Sequence, residues 1–241
     1  MQAMIFAAGL GTRLAPLTDN KPKALVNFLG KTMIENAAAK LVAAGCNRLI
    51  INVHHFADKM CEFIKTHDFN AEILISDERD FLLDTGGGIL KAQDLLKNEE
   101  NTILYNVDIA SDIDLNALYD FHKKNSCLAT LAVKDRQSSR KLIFNDNNEL
   151  CGWKNYTSGE EKISKTFNPK TANEYAFSGV SVISREIFSK IIEQGKFSIT
   201  NLYLRLAAEE KICAFLHSGF WADLGTKEKL EKAEKEFLAL K

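Results

Sequence analysis

Two glycines stand one residue apart in Ala7-Ala8-Gly9-Leu10-Gly11-Thr12-Arg13, directly after an apolar run. Glycines at that spacing let a backbone turn sharply and approach a ligand closely. Successive backbone N–H groups in such a turn cradle phosphate oxygens. Arg13 lies inside the turn, and Lys23 follows in Lys21-Pro22-Lys23. Two cations beside a phosphate-binding loop suit a triphosphate and its departing pyrophosphate. The plainer alternative is a tight turn among solvated basic residues. Two familiar nucleotide motifs fail. A dinucleotide fingerprint needs glycine where Leu14 stands, and a Walker A loop ending at Gly30-Lys31-Thr32 needs glycine where Leu25 stands. Thr32 with Glu35 reads instead as a helix capping box.

Carboxylates follow the same logic. Asp108 ends the apolar run Thr102-Ile103-Leu104-Tyr105-Asn106-Val107. A carboxylate at the carboxyl end of a central strand is placed to bind a hard cation. Asp112 and Asp114 read as turn or cap residues. Asp223, in Trp221-Ala222-Asp223-Leu224-Gly225-Thr226, lies between a strand and the last helix and offers a second carboxylate. Mg²⁺ takes one or two protein carboxylates plus substrate phosphates, which two separate aspartates satisfy. In Asp84-Thr85-Gly86-Gly87-Gly88 three glycines leave a bare backbone surface for a flat base or ribose, or else a helix N-terminus capped by Asp84 or Thr85. His54 and His55 read as loop residues. The remaining histidines show no metal spacing, and no Ser/His/Asp or Cys/His set appears.

The elements that position these residues alternate. Apolar runs at 2–7, 48–53, 71–75, 102–107 and 128–133 read as strands. Helical periodicity covers 32–44, 57–65, 88–97 and 115–124 between them. This order predicts an α/β fold with a Rossmann-like, mostly parallel sheet flanked by helices, whose ligands bind at the strands' carboxyl ends. Further on, 141–153 reads as a hairpin turned at 146–148, 156–174 as a polar loop and 176–183 as a strand. Segments 185–193 and 199–209 read as helices, 212–216 as a strand and 226–240 as a charged helix. No linker interrupts the chain, so one domain over 1–241 is expected, with a small inserted lobe near 135–183.

Composition narrows the class. With 46% hydrophobic and 26% charged residues, the chain has material for a sizeable core. Its net charge of −1 gives no overall reason to bind nucleic acid or an anionic membrane. No apolar run approaches the ~20 residues needed to span a bilayer. Five cysteines, an odd number without zinc spacing, read as reduced and packed as small hydrophobes in a cytoplasmic protein.

Taken together, Ala8 to Thr18 with Lys21-Pro22-Lys23, Asp84 to Gly88, Asn106-Val107-Asp108, Phe177-Ser178-Gly179-Val180 and Trp221 to Thr226 resemble the sugar-1-phosphate nucleotidyltransferases over nearly the whole chain. The triple glycine and the Asp223-Leu224-Gly225-Thr226 ending look closest to N-acetylmuramic acid 1-phosphate uridylyltransferases, with mannose-1-phosphate guanylyltransferases as near relatives. The resemblance implies Mg²⁺-dependent attack of a sugar 1-phosphate on a nucleoside triphosphate. By position, Ala8, Gly9, Leu10, Gly11, Thr12 and Arg13 would hold the phosphates. Arg13 and Lys23 would stabilise the leaving charge, and Asp108 and Asp223 would bind Mg²⁺. Gly87 and Gly88 would pack near the base, and Gly179 near the sugar, within the lobe. Val107 stands where the family has glycine, and either crowds the ligand or extends the strand; Asn27 stands where proline is frequent. UTP with N-acetylmuramate 1-phosphate is the expected pair. The alternatives are guanylyl or cytidylyl transfer to mannose or heptose 1-phosphate or phosphocholine, and a non-catalytic nucleotide-sugar sensor. Oligomeric state is not legible.

Overall fold

Strand β1 (Gln2–Phe6), apolar from Ala3 onward, is buried on both faces and lies parallel between two other strands. A computed structural model describes residues 1–96 and 99–239. In chain order a short hairpin, β2 (Asn27–Phe28) and β3 (Lys31–Thr32), precedes α1 (Met33–Ala43). Then come β4 (Arg48–Val53), α2 (Ala57–Thr66), β5 (Glu72–Asp77), α3 (Asp84–Lys91), α4 (Gln93–Leu96), β6 (Asn101–Asn106), β7 (Ile109–Ser111), α5 (Leu115–Asn125) and β8 (Ala129–Lys134). Strands β9 (Arg140–Phe144), β10 (Leu150–Asn155) and β11 (Glu161–Ile163) follow. The long β12 (Asn173–Ser184), α6 (Ile199–Leu206), β13 (Ile212–Leu216), β14 (Trp221–Asp223) and α7 (Lys227–Ala239) complete the chain.

Strands β5, β4, β1 and β6 pair in that order, all parallel, as the expected α/β sheet requires. Strand β12 then turns the sheet antiparallel and joins both halves, pairing with β6 and β8 along its second part and with β9 near its start. Side-chain alternation sends Ala3, Ile5, Leu49 and Ile51 to one face, against α1, α2, α5 and α7. Met4, Ile50 and Leu104 face the other way, against α3, α4 and α6. The capping box at α1 forms as its spacing predicts: Thr32 Oγ1 accepts from Glu35 N, and Glu35 accepts from Thr32 N.

Several expected boundaries move. Helix α3 starts at Asp84, drawing all three glycines into its first turns, and ends at Ala92 before α4; Lys97, within the expected 88–97 span, lies outside the described residues, as does Leu240. Segment 185–193 forms only a 3-10 turn over Arg185–Lys190. The polar stretch 156–174 contains β11, whose three exposed residues pair with β10 and so show no apolar signature. One expectation is overturned. Cys127 and Cys213 form a disulfide, leaving Cys46, Cys61 and Cys151 free. The parallel register of β13 on β8 sets Cys213 opposite Thr130 and brings the two Cα atoms to 6.2 Å, a proximity that 86 residues of separation hide in the sequence. Among the described residues no helix is long and apolar enough to cross a membrane.

Candidate active site

The glycine turn follows β1 at the carboxyl edge of the parallel strands. Gly11 has φ of 69°, a left-handed conformation, and an added Cβ would press on Lys23 and Thr18, 3.0 and 3.1 Å away. Thr18 Oγ1 donates to the Gly11 carbonyl at 2.9 Å and fixes the turn from below. Gly9 and Leu10 are exposed at its tip, with Thr12 and Arg13 following in a 3-10 turn. At its base, Asn52 Oδ1 accepts from Ala7 N and Ala8 N, at 2.7 and 3.3 Å. Asn52 Nδ2 donates to Glu78 Oε1 at 2.7 Å, so the amide's orientation is set by a buried carboxylate. Burial raises the Glu78 pKa above the usual carboxylate range, against the pull of Asn52 and the Leu83 N–H.

The two aspartates come together through a small ladder that the sequence did not announce. Strand β14 pairs antiparallel with β7, setting Asp223 opposite Ile109. Leu224 N then donates to the Asp108 carbonyl at 2.8 Å. Asp108 is ion-paired with Lys23. Asp223 accepts from Lys229 Nζ at 2.5 Å and from Gly225 N at 2.8 Å. Burial alone would raise the Asp223 pKa, but Lys229, the Gly225 N–H and the nearby charge of Lys23 outweigh it and hold the group below its ordinary value. Gly225 separates Asp223 from Arg13: a Cβ there would lie 2.7 Å from Asp223 Oδ1 and 3.1 Å from Arg13 Nη2. Arg13, Lys23, Asp108 and Asp223 therefore share one edge of the sheet. Among the described residues no group of three or more His, Cys, Asp and Glu could hold a metal. Two hard carboxylates, each already compensated by a lysine, nevertheless fit a cation that completes its shell with phosphate oxygens.

Beside this edge opens a cavity of about 330 Å³, walled in part by Gly9, Lys23, Thr85, Asp108 and Lys196. Val107 borders it, and its N–H donates to the Phe6 carbonyl at 3.3 Å, continuing the β1–β6 pairing one step further. Gly87 and Gly88 lie outside its walls. A Cβ at Gly87 would overlap the Gly195 carbonyl oxygen, and one at Gly88 would sit 3.0 Å from Glu78 Oε1 and 3.2 Å from Asn52 Nδ2. Both glycines thus admit close neighbours, and those of Gly88, Asn52 and Glu78, are among the cavity's walls. Gly179, at φ 73°, bends β12 where its register shifts, with Asn106 Nδ2 and Ile109 Cγ1 each 2.9 Å from where its Cβ would be. Sequence reasoning passed over Asn52, Glu78, Lys196 and Lys229. Asn52 had a signal, a lone amide near the end of the apolar run Arg48-Leu49-Ile50-Ile51-Asn52-Val53. The others are ordinary charged residues until the fold gathers them.

A glycine turn and two neighbouring aspartates stand at the carboxyl edge of a parallel sheet, which is where α/β proteins bind their ligands. The chain belongs to the nucleotidyl transferase family, whose sequence profile matches residues 2–239. It is 33% identical, over 92% of its own length and 91% of the relative's, to a protein named N-acetylmuramate alpha-1-phosphate uridylyltransferase from Caulobacter vibrioides. It is 26% identical to the catalytic subunit beta of a mannose-1-phosphate guanylyltransferase from Dictyostelium discoideum, over 93% of this chain but only 61% of that one. In fold it resembles a UDP-glucose pyrophosphorylase solved with UDP-glucose, with a TM-score of 0.78 at 18% identity, covering 100% of this chain and 99% of the other.

Proposed function

We propose that the protein is a uridylyltransferase that joins UTP to N-acetylmuramate 1-phosphate and releases pyrophosphate. The convergence of Arg13, Lys23, Asp108 and Asp223 carries the reading, and end-to-end similarity to a relative of that name supports it over the guanylyltransferases. A phosphate oxygen of the acceptor attacks the α-phosphorus of UTP; the bond from that phosphorus to the bridging oxygen breaks, and pyrophosphate leaves with the electron pair. No protein nucleophile takes part. The backbone of Ala8, Gly9, Leu10, Gly11 and Thr12 holds the phosphates. Arg13 and Lys23 meet the charge that builds on the departing oxygen, Lys23 turning from Asp108 towards the phosphates. Mg²⁺, held by Asp108 and Asp223 with phosphate oxygens, would neutralise charge on the reacting groups. Gly88 makes room for the Asn52–Glu78 pair under the nucleotide, while Gly179 shapes the acceptor side. Holding both reactants in line supplies the remaining acceleration.

The test crosses UTP, GTP, CTP, ATP and dTTP with the 1-phosphates of N-acetylmuramate, N-acetylglucosamine, glucose and mannose, and identifies products by mass. UDP-N-acetylmuramate is the expected main product. GDP-mannose would replace the reading with guanylyl transfer. No product from any pair, with one nucleotide raising the melting temperature, would point to a sensor.

A further inference from the structure

Between the inserted lobe and helix α6 lies a second cavity, of about 450 Å³, that the reaction centre leaves unexplained. Its cationic walls are Arg136, Arg140, Lys141 and Lys162, and no acidic side chain lines it. Carboxylates outside the cavity walls lie near three of these cations: Asp135 stands 3.9 Å from Lys141, Glu160 3.5 Å from Lys162, and the charge of Asp223 bears on Arg136. Arg136 is half-buried, and its Nε is sealed from solvent with no hydrogen-bond partner. Trp153 adds an indole face to the wall, with Lys162 Nζ 5.5 Å from its ring centre. Thr200 and Asn201 add neutral polar groups, and Asn201 Oδ1 accepts from Lys162 at 3.2 Å. Aromatic and neutral polar groups suit a sugar ring; four cations with no acidic side chain among the walls ask for an anion as well.

The cavity adjoins the reaction centre. The Arg136 guanidinium stacks 3.8 Å from the ring centre of Trp221, two residues before Asp223. Arg136 Nη2 also donates at 3.1 Å to the carbonyl of Phe177, a cavity wall just before the Gly179 bend. A sugar whose phosphate lies at Asp108 and Asp223 would thus extend towards this space.

We infer that the lobe cavity is a carboxylate-reading subsite, in which Arg140, Lys141 and Lys162 select acceptors whose sugar ring carries an acid substituent. The inference rests on the acceptor proposed above, since N-acetylmuramate differs from N-acetylglucosamine by a lactyl ether bearing one carboxylate. Arg140 and Lys162 are exposed on lobe strands, so their replacement leaves the core untouched.

The experiment compares kcat/KM for N-acetylmuramate 1-phosphate and N-acetylglucosamine 1-phosphate, with UTP, in the wild type and in the double variant Arg140→Gln, Lys162→Gln. The wild type is expected to favour the acidic sugar, and the double variant to lower that ratio at least tenfold. The charge-keeping pair Arg140→Lys, Lys162→Arg should retain most of it. An acidic preference unchanged in the double variant overturns the inference and leaves the uridylyltransferase reading intact. Equal losses on both sugars also overturn it, because the cations would then serve the shared phosphate or the lobe's shape. Turnover of neutral sugar phosphates alone removes the acceptor reading and the subsite together.

Discussion

At the scale of single residues, the site separates groups that would touch substrate from groups that hold them. Lys23 is the sharpest case, because it already neutralises Asp108 and lies close enough for its charge to bear on Asp223. Replacing Lys23 by Met should lower kcat by about a hundredfold or more, as loss of one preorganised donor to a developing negative charge typically does. Steady-state rates with protein shown to be folded by circular dichroism would check this. Asn52 belongs to the second group. Asn52→Ala strips the acceptor from two loop amides and leaves Glu78 buried without its main partner, at a cost of about 1–3 kcal/mol. Urea unfolding and the nucleotide KM should both worsen, the latter because the phosphate turn loses its anchor. Arg13, Lys23, Asp108 and Asp223 were legible because each sits at a turn or strand end beside glycines or apolar runs. Glu78 and Lys229 were not, since a charged residue after a strand or on a helix reads as solvated surface until its neighbours are known.

Elements carry the next layer. The parallel strands could be read to within one or two residues because burial on both faces leaves continuous apolar runs. The β7–β14 pair could not, for three residues per strand leave no period to detect, yet that pair is what joins Asp108 to Asp223. The triple glycine shows how one motif admits two readings. It offered a bare platform for a base or a helix start capped by Asp84 or Thr85; the helix starts instead at Asp84 with Leu83 at its cap position and no side-chain cap, and Gly86 and Gly87 pack α3 against the chain at Gly195 and Phe197. Gly87→Ala should therefore lower stability by about 1–3 kcal/mol through overpacking, seen as a lower urea midpoint. A variant as stable as the wild type, with only nucleotide affinity impaired, would restore the platform reading.

Over the whole molecule, a long-range disulfide and two histidines of depressed pKa set the conditions under which the fold persists. The Cys127–Cys213 bond ties β8 to β13 across 86 residues. Reduction, or Cys213→Ser, should remove about 2–4 kcal/mol of stability, measured by denaturation with and without reductant. Two histidines make stability depend on pH. Burial pushes the His122 ring down to about 4, and burial reinforced by Lys134 pushes His217 to about 4 as well. Between pH 6.5 and about 4 the unfolded chain binds protons on these rings that the folded chain refuses. Stability should therefore fall as pH drops through that window, by at most about 1.4 kcal/mol per pH unit for His122 and less for the partly exposed His217. Melting temperatures across the window should show a slope that flattens in a His122→Gln, His217→Gln variant. The sequence showed the α/β order but not the disulfide, whose cysteines lie 86 residues apart, nor the depressed histidines, whose burial is set only by the fold.

The most direct measurement is pyrophosphate release from UTP and N-acetylmuramate 1-phosphate with Mg²⁺, run side by side on the wild type and on Asp223→Ala. Steady release by the wild type, abolished by chelation and reduced at least a hundredfold in Asp223→Ala of unchanged fold, is the predicted result. Equal rates in the two proteins would contradict the role given to the paired aspartates. Silence of the wild type with this pair, alongside release from GTP and mannose 1-phosphate, would contradict the proposed substrates.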